Sequence, residues 1–116
     1  MSTSFSDVTS IRGFIGACLV DSESGLVLVV QGGAIDLEAL AAFSTQVVGV
    51  MLRNFKTLGL NDRIEEILIT TGKMIHLIRS VEKAPGVLFC VCLDKNAARL
   101  GMARRQVRRI EESLVT

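Results

Sequence analysis

The chain of 116 residues contains no Trp and no Tyr, and aromatics make up only 4% of it. Apolar runs such as Leu26 to Val30 fall far short of the roughly 18 residues that a membrane-spanning helix needs. No early apolar run reads as a secretory leader. A formal net charge of +1 supplies no global field to draw in nucleic acid or an anionic membrane. Three cysteines are an odd set without the spacing of a disulfide framework, so reduced thiols in a cytoplasmic protein are expected. The low hydrophobicity of disordered chains is also missing, since 49% of the residues are apolar. One domain spanning 1–116 is expected, with a mobile tail at residues 1–4. A domain of this size cannot hide all its apolar surface alone, so part of it is expected to pack on a partner.

Chemical motifs are as scarce. Cys90 and Cys92 lie two apart in "VLFCVCL", so on a strand both thiols share a face. A structural zinc site takes four ligands, usually with C-x-x-C spacing on a turn, and only Cys18 and the lone His76 remain to complete one. Free Cys as a small buried hydrophobe is the expected state. His76 sits between Ile75 and Leu77, and Thr70, Thr71 and Ser80 near it carry no nucleophile motif. Glu65-Glu66 and Glu111-Glu112 are adjacent pairs that point to different sides, unlike acid/base carboxylates facing across a cleft. "QGGAID" precedes a helix, but Asp36 at its cap would repel a phosphate, and no G-x-G-x-x-G or G-K-[ST] is present. No catalytic, cofactor-binding or metal-ligating residue is therefore assigned, and no cofactor is expected.

What is there is patterned structure. Phe5, Val8 and Ile11 recur every three residues, which suggests a short amphipathic helix ending at Gly13. Phe14 to Val20 and Leu26 to Gln31 flank Asp21-Ser-Glu-Ser-Gly25, giving a β-hairpin. Asp36 caps a long helix that Gly59 ends. Leu37, Leu40, Ser44, Val48, Met51, Phe55 and Leu58 trace one stripe along it, and Phe43, Val47 and Val50 trace a second. A surface helix ordinarily has one apolar face. This one has close to two.

"RIEEILITT" and "MIHLIRSV" read as strands joined at Thr71-Gly72-Lys73, and "GVLFCVCL" follows Pro85-Gly86 as a third. Their consecutive aliphatic residues suggest strands covered on both faces. A last helix is expected from near Asn96, burying Leu100, Ala103, Val107, Ile110 and Leu114. Arg99, Arg104, Arg105, Arg108 and Arg109 then face outward, with Arg108 in reach of Glu111 or Glu112. A basic helix can bind phosphates, yet the small basic excess argues against nucleic acid and for a solvated or partner-facing side. The order (α)ββαβββα with short turns implies an α+β fold, an antiparallel sheet with helices on both faces.

With that order in hand, "GFIGACLVDSESGLVL", the helix from Asp36 to Leu58, "EEILITTGKMIHLIRSVEKAPGVLFCVCLDKNAARLG" and "LDKNAARLGMAR" resemble the Roadblock family of dynein-light-chain-like domains. The full closing helix is similar to its prokaryotic members, which regulate gliding-polarity GTPases. The resemblance implies a five-stranded antiparallel sheet between helices, Roadblock/longin/profilin-like. It also implies a homodimer whose long helices pack together and whose third strands pair. Phe43, Val47, Val50 and Met51, with Ile64, Ile67, Leu68 and Thr70 on the strand, are the interface residues it points to. The expected function is that of a non-enzymatic partner of a small Ras-like GTPase, with Gln46, Arg53, Asn54 and Lys56 as candidate contacts. A scaffold without effect on a GTPase, or a ligand- or nucleic-acid-binding sensor, are the rival readings.

Overall fold

The computed structural model describes residues 3–114, so the tail expected at residues 1–4 lies partly outside the described residues. A 3-10 helix, Phe5–Ser10, leads into β1 (Phe14–Asp21) and β2 (Val27–Gly32). α1 (Leu37–Thr57) follows, then β3 (Glu66–Thr70), β4 (Met74–Ser80), β5 (Val87–Asp94) and α2 (Leu100–Ser113). The five strands form one sheet in the order β2-β1-β5-β4-β3, with every neighbouring pair antiparallel. The expected α+β architecture is present, with one correction at the start. Phe5, Val8 and Ile11 are spaced by three, which is the period of a 3-10 helix and not of an α-helix, and Val8 and Ile11 are buried on that spacing.

The sheet separates two apolar layers. On one face, Ala17, Leu77, Phe89, Val91 and Leu93 pack against Val8 and Ile11 and against Ala103, Val107 and Ile110 of α2. Phe89 is wholly buried and its ring meets Phe5 at 5.5 Å, a burial that contributes roughly 2–3 kcal/mol. On the other face, Cys18, Val20, Ile78, Leu88, Cys90 and Cys92 lie beneath Leu40, Ala41 and Val48 of α1. Gly16 allows that approach, because a Cβ there would stand 2.7 Å from the Leu37 side chain.

α1 forms as its sequence directs. The Asp36 carboxylate accepts from the Ala39 N–H at 3.1 Å, satisfying a donor the first turn would leave free. At the other end Leu60 N–H donates to Phe55 O and Gly59 N–H to Lys56 O. That double closure needs a left-handed residue at the turn, supplied by Gly59 at φ +70°.

Two further expectations are corrected. α2 starts at Leu100, not near Asn96, because Asp94 holds a turn: its carboxylate accepts from Asn96 N–H and its carbonyl from Ala97 and Ala98 N–H. Leu100 is consequently exposed, and the buried stripe begins at Ala103. The first stripe of α1 is also shorter than expected. Leu40, Ser44 and Val48 are buried, but Met51 and Leu58 are exposed, so the helix covers the sheet with its first half and projects with its second.

Candidate interaction surface

β3 is one edge of the sheet, as the pairing expectation requires. The register Ile67↔Ile78 and Ile69↔His76 places Ile67 and Ile69 on the α1 side, where Ile78 is buried. Leu68 and Thr70 alternate to the α2 side, and Ile64 precedes the strand, itself partly buried in an otherwise exposed loop. The eight sequence-derived interface residues therefore fall into an α1-side group and a second group on the opposite face of the same edge strand. A strand inserted along β3 would touch both.

Along α1, Phe43, Val50 and Met51 are exposed and Val47 is partly buried. Half of the Val50 surface is open to water. Phe43 leans over β4, its ring 5.5 Å from that of His76. The second stripe thus leaves Phe43, Val50 and Met51 open on the side of the helix where Phe43 meets β4, the strand next to the β3 edge. Burial pushes the His76 pKa below its ordinary value, and its buried Nδ1 has no hydrogen-bond partner. Gln46, Arg53, Asn54 and Lys56 are all exposed. They do not make one patch: at helical spacing Asn54 shares the side of Val47, Val50 and Met51, whereas Gln46 lines a groove against β2.

Sequence reasoning missed a charged network on the opposite face. Arg79 donates from Nη1 to Glu66 at 2.9 Å and from Nε to Glu111 at 3.0 Å, and Arg104 donates to the other oxygen of Glu66 at 2.8 Å. Burial works against the Arg79 charge, but the hydrogen bonds it donates to Glu111 and Glu66 outweigh it and hold its pKa above the ordinary value. Glu111 is 4% exposed and pairs with β4, not with Arg108 as its helical spacing suggested. Register carried part of the signal, because Glu66 and Arg79 are directly opposed across the β3–β4 hairpin.

The thiols are closed off from solvent by position, and the hydrogen bond with Cys18 holds the Cys90 thiol below its ordinary value. Cys18, Cys90 and Cys92 are all buried and reduced. The hydrogen bond shared with Cys90, and burial, push the Cys18 thiol well above its usual range, and burial does the same for Cys92. Among the described residues no group of three or more His, Cys, Asp or Glu side chains is arranged to hold a metal ion. No helix among them is long and apolar enough to cross a membrane.

No protein-family model matches the chain, and neither does any curated protein. Solved structures do. The gliding protein MglB of Thermus thermophilus superposes with a TM-score of 0.78 over 93% of this chain and 80% of its own, at 21% identity. A Roadblock/LC7 domain from Streptomyces avermitilis gives 0.77 over 91% and 86%, at 15% identity. The chain has the Roadblock/LC7 fold. An MglB in a tetrameric arrangement matches equally well, with a TM-score of 0.78 over 93% of this chain and 79% of that one, at 21% identity. In Roadblock/LC7 terms, α1 is the long helix and β3 the third strand of the expected pairing.

Proposed function

We propose that this chain is a non-catalytic homodimeric regulator or adaptor that binds a small Ras-like GTPase and modulates its nucleotide cycle in bacterial cytoplasmic signalling. The observation that carries the reading is the apolar strip of Phe43, Val47, Val50 and Met51 on α1, together with the open β3 edge. Water contact along such a strip is costly, at roughly 25 cal/mol per Å2 of apolar area, and an unpaired edge invites another strand. A second copy meets both needs under one two-fold axis, since the same patch on each protomer is then its own complement. The Roadblock/LC7 fold, and its likeness to an MglB in a tetrameric arrangement, support self-association.

Pairing of that kind sets two α1 helices side by side and leaves a polar rim that starts at Asn54 and continues over Arg53 and Lys56 on the outer turns of the helix, with Gln46 outside it on the β2 side. The polar rim would hold switch segments of the GTPase in one arrangement, so that the GTPase's own groups perform the hydrolysis or release the nucleotide. The test is GTP turnover by a small Ras-like GTPase with and without this protein, and with the Arg53→Glu, Lys56→Glu variant. The expected outcome is a changed turnover rate that the double charge reversal abolishes. A dimer that binds no GTPase, or leaves its turnover unchanged, would favour a scaffold instead.

A further inference from the structure

The other end of the sheet is also open. β2 pairs only with β1, and its outer backbone groups have no strand partner among the described residues. Leu28, Val29 and Val30 of β2 are exposed, as is Leu26 just before it, at 62%. Edge strands usually carry charge or proline as protection; β2, with the sequence Val-Leu-Val-Val-Gln-Gly, has neither. Beside it lies a groove of about 630 Å3 between the strand and α1, lined by Leu26, Val27, Glu38, Ala42, Thr45 and Gln46. Short side chains at Ala42 and Thr45 leave that flank of the helix low.

Three observations fix the kind of occupant. The unpaired N–H and C=O groups of an edge are matched along their length only by another extended chain. The one charged residue that lines the groove is acidic, Glu38, and the turn leading into Gly25 at its rim adds Asp21 and Glu23. Finally, Leu28 is an extra residue in β2, because Leu19 pairs Val29 while Val20 pairs Val27. The bulge leaves regular backbone only at 29–32. Self-pairing about a two-fold axis can use only 29–32 of each copy, a four-residue ladder beyond which each bulge stands opposite the partner's Gly33, and it joins two edges that carry the same acidic Glu38. A short strand from a different, basic protein meets neither obstacle.

We propose that the β2 edge takes up an extended segment of another protein, aliphatic at alternate residues, with a Lys or Arg passing Glu38. The β2 and β3 edges lie at opposite ends of the sheet, so this site is independent of the proposed dimer seam.

The test uses the full chain and a capped peptide that alternates valine and threonine between terminal lysines. Amide hydrogen exchange is followed residue by residue. Saturating peptide is expected to slow exchange of the outward amides in 29–32, while a peptide N-methylated at alternate residues does not. Glu38→Lys, a surface change that leaves the fold intact, is expected to weaken binding about fivefold, the size of one exposed ion pair. No protection at 29–32, protection at β3 instead, or equal binding of the N-methylated peptide would overturn the proposal. So would protection at 29–32 that grows with protein concentration without peptide, since a second copy would then occupy the edge.

Discussion

Glu111 is the residue whose burial has no counterpart in the sequence pattern. It lies on the buried face of α2 next to Ile110, one residue off the apolar spacing, and Arg79 of β4 meets it there. Removing one partner of a buried pair leaves the other charge unmatched, so Glu111→Ala is expected to cost about 3 kcal/mol in urea unfolding. Arg63→Ala, which breaks a 3.6 Å pair exposed on both sides, is expected to change stability by less than about 0.5 kcal/mol. His76 carries the pH dependence. Its folded pKa is depressed by burial, so the folded state takes up a proton less readily than the unfolded chain. Stability is then full above the ordinary histidine value near 6.5 and falls as pH drops through the lower folded value. Unfolding midpoints measured from neutral pH down to about pH 5 are expected to decline, and His76→Leu to flatten part of that slope. For the cysteines, the expected thiol count by a soluble disulfide reagent is none in the folded protein and all three in denaturant. The reading of Cys90 and Cys92 as core residues needed only their place in an aliphatic run. Glu111 needed the tertiary partner, which no local pattern contains.

At the scale of elements, α1 was the most legible piece, because a capping Asp, a terminating Gly and two apolar stripes each leave a local mark. Asp36→Ala is expected to cost about 1 kcal/mol through the lost cap, read from the shift in thermal or urea unfolding. The two stripes make opposite predictions for one kind of change. Val48 is buried against the sheet, so Val48→Asp is expected to unfold the protein, whereas Val50→Asp on the exposed stripe leaves the far-ultraviolet circular dichroism unchanged. The start of α2 was illegible for a local reason, since the Asp94 turn absorbs residues whose composition suits a helix equally well. β2 and β5 illustrate a deeper limit. Both are runs of consecutive aliphatic residues, yet β5 is buried on both faces in mid-sheet and β2 is an open edge. A continuous apolar run states that a strand avoids water; it does not state whether its own chain or another supplies the cover.

For the molecule as a whole, the strand order was the property least accessible to sequence. β5 enters between β1 and β4, a non-local pairing that local turns do not encode, and it turns β2 and β3 into the two edges. The apolar composition nevertheless announced the consequence: there is more aliphatic surface than one copy covers. Much of it lies on the β2 edge and on the second stripe of α1, with Leu68 on the β3 edge. Self-association through that stripe and edge is therefore the property on which the proposed function depends. Sedimentation equilibrium at micromolar concentration tests it most directly. The expected result is a mass twice the 12.5 kDa of the chain, returning to a single 12.5 kDa species for Val50→Asp with its circular dichroism unchanged. A wild-type protein sedimenting at 12.5 kDa would contradict the dimer and the GTPase-regulator reading built on it.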